Sequence, residues 1–136
     1  MKYKKINSDI FVIRLEKGEE VMANLFSFCC QNNIKAGYLQ GIGALEQADL
    51  ALYDLKTKKY YNQVIAGPLE IANFFATITS EKIHAHIVVS DKDMQAFGGH
   101  LNSGIVAATA EIILRKFSGR LDRYKDKGIG LELMYL

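Results

Sequence analysis

Apolar and β-branched residues crowd the stretch Ile10 to Leu15, and Lys17-Gly18 then interrupts it, which predicts a strand followed by a turn. Beyond the turn the period changes. Val21, Met22, Leu25, Phe28 and Cys29 recur at helical spacing, so a helix is expected there, with the carboxylates of Glu19 and Glu20 in its first turn. Asn32 and Asn33 supply the stop, because asparagine tolerates the left-handed backbone of a helix end. After the helix come short segments rich in Ile, Val, Tyr and Phe: 36–45, 48–54, 60–65, 69–78, 83–89 and 94–101. Turn-formers and charges separate them, which reads as a run of antiparallel strands. Val106 to Phe117 fits two elements. Ala107, Ala108, Ala110 and Glu111 favour helix, whereas Ile112, Ile113 and Leu114 suit a buried strand. Near the end, Ile129, Leu131, Leu133 and Tyr135 fall on one face of a closing strand. The expected architecture is α+β, a largely antiparallel sheet with one principal helix in one domain over residues 1–136.

Composition narrows the function classes. A chain of 136 residues, 49% hydrophobic with a single proline, can bury a real core and matches neither disordered nor low-complexity proteins. The net charge is only +2, so no strong electrostatic pull on a phosphate backbone is expected. The dense basic spots, Lys2/Lys4/Lys5 and Lys56/Lys58/Lys59, read as solvated ends and turns. Nothing behind Met1 to Asp9 resembles a signal peptide, and no stretch approaches a membrane span, so a soluble, cytoplasmic protein is expected. Cys29 and Cys30 are adjacent and suit neither a structural disulfide nor a zinc motif, so both are expected to be reduced and buried.

All three histidines fall within seventeen positions: His84, His86 and His100. In a strand His84 and His86 share a face with Val88, while Ile83, Ala85, Ile87 and Val89 take the other. Ser90-Asp91-Lys92-Asp93 forms a turn. A hairpin centred on Lys92 sets His84 opposite His100 and Gly98 opposite His86, and a bulge at Gly98 and Gly99 would shift that register. The three imidazoles then converge on one divalent ion, zinc first, in an arrangement with an open fourth position. A His-x-His pair alone would better fit an exposed polar strand face; His100 facing the pair, with no histidine elsewhere, turns the reading to a metal. Gly37, Gly41 and Gly43 lack the order of a dinucleotide fingerprint and read as close backbone packing. Glu111, a carboxylate in an apolar run, is a candidate partner to a metal ligand or a general base, or else an exposed glutamate.

Taken in order, the segments 34–44, Gly67-Pro68-Leu69-Glu70-Ile71, His84-Ala85-His86, Gly98-Gly99-His100-Leu101 and Ala108-Thr109-Ala110-Glu111 resemble the PPC domain, the plant and prokaryote conserved domain also called domain of unknown function 296. The resemblance is to a stand-alone prokaryotic member. It implies an α+β fold, a strand rather than a helix at Ala108 to Glu111, a homotrimer, and a metal bound by the histidines. It also implies DNA or protein partners. Plant members bind A·T-rich DNA through AT-hooks with an Arg-Gly-Arg-Pro core; Pro68 follows Gly67 and precedes Leu69, so no AT-hook is present. The plant partner motif Gly-Arg-Phe-Glu-Ile survives here only as Gly67, Glu70 and Ile71, and Ala76 stands where glycine is common. A second reading of the same site is a metal-dependent enzyme acting on a small molecule, with Glu111 moving a proton.

Overall fold

The computed structural model describes residues 1–136. Strands β1 (Lys2–Lys5) and β2 (Ile10–Glu16) precede the one helix, α1 (Val21–Gln31). Then follow β3 (Gly37–Asp54), β4 (Lys59–Ile78), β5 (Ile83–Ser90), β6 (Ala96–Lys116), β7 (Arg123–Lys125) and β8 (Glu132–Met134). Strand accounts for 62% of the chain, so the helix is a minor partner in a mostly antiparallel sheet. Six strands pair in the order β1-β2-β6-β3-β4-β5, and β5 pairs again with β6. That second pairing closes β3, β4, β5 and β6 into a ring. No helix is long and apolar enough to cross a membrane.

The predicted strands exist, but several fuse. Segments 36–45 and 48–54 are one strand, as are 60–65 with 69–78, and 94–101 with 106–117. The expected break between 45 and 48 is instead a register shift at Leu45/Gln47, and a second shift lies at Gly41/Gly43 within the first segment. Such bulges bend a long strand without ending it. At Gly41, β3 passes so close to β6 that an added Cβ would lie 2.6 Å from the Glu111 carbonyl oxygen, which accounts for glycine there. Met94, expected to begin a strand, sits in the β5–β6 turn with φ 60°. The expected closing strand is shortened to β8, which pairs with β7 in a separate two-stranded sheet and does not join the main one. The edge strand β1 was not anticipated, because Lys2, Lys4 and Lys5 hide its period; it is wholly exposed along its length.

Alternation along each strand fills one side of the sheet. Phe11, Ile13 and Leu15 of β2 pack with Leu39 of β3 and with Val106, Ala110, Ile112 and Leu114 of β6, under Val21, Leu25, Phe28 and Cys29 of α1. Each fully buried aliphatic side chain contributes about 1.5–3 kcal/mol. Glu20 caps the helix rather than lying within it. Its carboxylate accepts from the Met22 and Ala23 amides, and from the Gly104 amide at 3.0 Å, which ties α1 to β6. At the other end Asn32 is the cap and Asn33 takes φ 51°, as its side-chain type leads one to expect. Cys29 is buried, and burial pushes its thiol up to about 12. Cys30 is exposed, contrary to expectation, because it points off the opposite side of the helix.

Candidate metal centre

On β5, burial alternates strictly: Ile83, Ala85, Ile87 and Val89 face the core, while His84 is half-buried and His86 exposed. The pleat thus turns both imidazoles away from the apolar layer. The β5–β6 turn is longer than a tight hairpin, running from Asp91 to Gln95. Asp91 Oδ1 accepts from the Asp93 and Gln95 amides, both at 2.9 Å, and the Met94 amide donates to the Asp91 carbonyl. The hairpin is therefore centred on Asp93 rather than Lys92. His86, not His84, lies opposite His100, and Val88, not His86, lies opposite Gly98. His84 extends past that pairing and lies opposite Thr77 of β4. A slip of two residues preserves the face, and so the histidines still meet.

Ring centroids are 5.1 Å apart for His84 and His86, 5.0 Å for His84 and His100, and 5.7 Å for His86 and His100. One nitrogen from each lies within 4.8 Å of the others. A tetrahedral ion with bonds of about 2.0–2.1 Å needs nitrogens about 3.4 Å apart, so a small ring rotation completes the set. At Gly99, beside His100, an added Cβ would lie 2.9 Å from the Ala51 carbonyl oxygen, so β6 presses onto β3 where it delivers its histidine.

Electrostatics favour neutral rings. Burial pushes His84 down to about 4, aided by His100, Arg123, His86 and Lys82. His100 is also held below the ordinary value, first by burial and then by His86 and Lys82. Neutral imidazole is the form that coordinates a metal, so this donor set fits a divalent ion.

Two depressions adjoin the rings. One, of about 330 Å³, includes Tyr60, Lys82, His84, His100 and Arg123. The other, of about 420 Å³, includes Tyr53, Tyr60, His84, His86 and His100. Sequence reasoning missed Tyr60, Lys82 and Arg123. They come from β4, the β4–β5 turn and β7, and no local pattern links them. Arg123 is anchored by its Nε donating to Thr79 Oγ1 at 3.2 Å and its Nη1 to the Glu132 carbonyl at 2.9 Å.

Other expected site residues lie elsewhere. Glu111 is exposed, opposite Arg14 of β2 and Ile42 of β3. It stands eleven residues along β6 from His100, about 35 Å of strand contour, and does not join the histidines. Of the partner-motif residues, Gly67 lies in β4 near the β3 bulge, Glu70 is exposed opposite Ser90, and Ile71 is a core residue. The Ile71 side chain therefore presents nothing to a partner.

Comparison with known proteins agrees with this architecture. Residues 4–118 match the Plants and Prokaryotes Conserved (PCC) domain, and the chain belongs to that family. It is 33% identical over 128 residues to the bifunctional protein GlmU of Synechococcus sp. (strain JA-3-3Ab), a match covering 91% of this chain. The chain spans only about a fifth of that relative's length, 20%. A Bacteroides thetaiotaomicron structure described as a "putative DNA binding protein" superposes with a TM-score of 0.93 at 29% identity, covering 98% of this chain and 96% of its own. A metal-containing protein from Archaeoglobus fulgidus superposes with a TM-score of 0.84 at 26% identity, covering 100% and 99%.

Proposed function

We propose that this member of the conserved-domain family is a metal-binding module, one domain over residues 1–136, that holds a divalent ion, zinc first, through His84, His86 and His100. The observation that carries the reading is the convergence of three imidazole nitrogens within 4.8 Å on the polar face of β5 and β6. The metal-containing relative from Archaeoglobus supports it. When bound, the ion supplies a Lewis-acid centre that polarises an oxygen beside it. The chain's own part is to hold the donors neutral, by burying His84 and His100, and to fix their spacing through the β5–β6 register. Elemental analysis tests the ligand set: about one ion per wild-type chain and a near-empty His84→Ala variant are expected. Full occupancy in that variant refutes it.

Assembly as a homotrimer belongs to the same proposal. The outer sheet face carries Val12, Ile42, Phe75, Val88 and Ile113, all exposed, and Phe75 stacks on Tyr38 at 5.6 Å. Apolar surface of this kind is what a closed cyclic assembly buries. A DNA partner is supported by the description of the Bacteroides relative, and a protein partner belongs to the same proposal through the family resemblance alone. For DNA the affinity is low, because the net charge is +2 and the lysine clusters sit on separate elements, β1 and the β3–β4 turn. One observation favours a second reading, an enzyme acting on a small molecule: ligand-sized depressions adjoin the histidines. Glu111 takes no part in it, since it lies far along β6.

A further inference from the structure

Charge around the histidines is unbalanced in one direction. Arg123 lies beside His84 and lines the same depression, yet its hydrogen bonds go to neutral groups, and none of the ion pairs of the chain uses it. Lys82 faces the same space; its ammonium is met by Glu132, whose carboxylate lies 3.3 Å away on the rim and is the one acidic group there. Two cations and one anion thus border a half-buried space, and an ion held by the histidines adds further positive charge. A guanidinium that lines such a space with no carboxylate paired to it has donors left for an anion, and its planar fork matches carboxylate geometry. The same space has an apolar wall, formed by Leu131, Leu133 and Met134 of the β7–β8 hairpin, with Met134 directly across the ladder from Arg123. At about 330 Å³ the space is at the small end for ligand pockets.

We propose that this pocket is a receptor for a small organic carboxylate, whose charge is received by Arg123 and Lys82 and whose apolar body lies against Leu131, Leu133 and Met134. The assignment names the ligand class for the histidine site and rests on the metal reading above. An inorganic oxyanion satisfies the cations but leaves the apolar wall uncovered, so an organic acid fits better.

The test uses the full chain loaded with cobalt(II), whose visible absorption reports on its surroundings, titrated with benzoate and separately with inorganic phosphate. Calorimetry follows the same titrations. Saturable benzoate binding is expected, tighter than phosphate, and weakened at least about tenfold in Arg123→Gln at unchanged cobalt content. If that variant loses its native circular dichroism, Lys82→Gln, at a half-exposed turn position, carries the test with a smaller loss of about threefold. Cobalt bound stoichiometrically with no benzoate response overturns the proposal and leaves the metal reading standing. Equal affinity in the folded variants, or phosphate binding as tightly as benzoate, also overturns it. Failure to bind cobalt removes the metal reading, and this proposal with it.

Discussion

The two halves of β6 differ in what surrounds them. From Val106 to Leu114 the strand is sandwiched between β2 and β3 beneath α1, and Val106, Ala110, Ile112 and Leu114 are buried. From Ala96 to His100 it pairs with β5 and reaches β3 only at His100, it carries two glycines, and the imidazole borders open depressions rather than the packed core. Stability is concentrated in the first region and chemistry in the second. The difference teaches that the histidine end can be altered without unfolding the domain, since no apolar layer depends on those rings.

The largest effect is expected from the ligands themselves. His100→Ala should empty the metal site, with elemental analysis falling from about one ion to near none, while urea unfolding of the metal-free variant shifts by less than about 1 kcal/mol. A shift of several kcal/mol would show that the two ends are one cooperative unit. At the packed end the pattern reverses: Leu114→Ala should cost about 2–5 kcal/mol by chemical denaturation and leave the ion content of the folded protein unchanged.

Next comes the outer face. Phe74 and Phe75 are adjacent on β4 and point to opposite faces, so Phe74 is 1% exposed and Phe75 44%. Phe74→Glu should therefore prevent folding, whereas Phe75→Glu should fold and dissociate. Sedimentation equilibrium is expected to give three times the 15.2 kDa chain mass for wild type and one for Phe75→Glu. A wild-type monomer would remove the trimer.

A smaller effect concerns pH in the metal-free protein. His84 is held near 4 in the folded state against an ordinary 6.5, so between these values the unfolded chain binds more protons. Stability should then rise as pH increases from about 4 to 6.5 and level off above. Because the ring is half-exposed, the gain is only about 1 kcal/mol. Urea titrations across this range should show it, and His84→Asn should flatten the slope. The same depression means that metal loading falls off at lower pH than three ordinary histidines would allow. Smallest of all is discrimination between DNA sequences. Titrations with A·T-rich and G·C-rich duplexes at physiological salt should both be weak and differ by less than about threefold. Tight, selective binding would point to a reading element on the exposed strands.

Much of this is legible in the sequence. Alternation along Ile83 to Val89 assigned the core face and the histidine face, because side-chain parity is a local property of the pleat. Helical spacing from Val21 to Cys29 and the asparagine stop were equally local, as was the avoidance of the apolar layer by all three histidines. Tertiary structure decided the rest. The hairpin centre moved from Lys92 to Asp93 because Asp91 gathers two amides and Met94 adopts a left-handed backbone, a loop preference that strand periodicity does not carry. Separate segments became the continuous strands β3, β4 and β6 because bulges absorb glycines without breaking pairing. Pairing of β4 with β5 set Thr77 beside His84, closure of β5 onto β6 set His86 opposite His100, and the β7–β8 hairpin added Arg123 from the far end of the chain. Local sequence fixes which way a side chain points; which groups it then meets depends on loop closure and sheet register, summed over the whole chain.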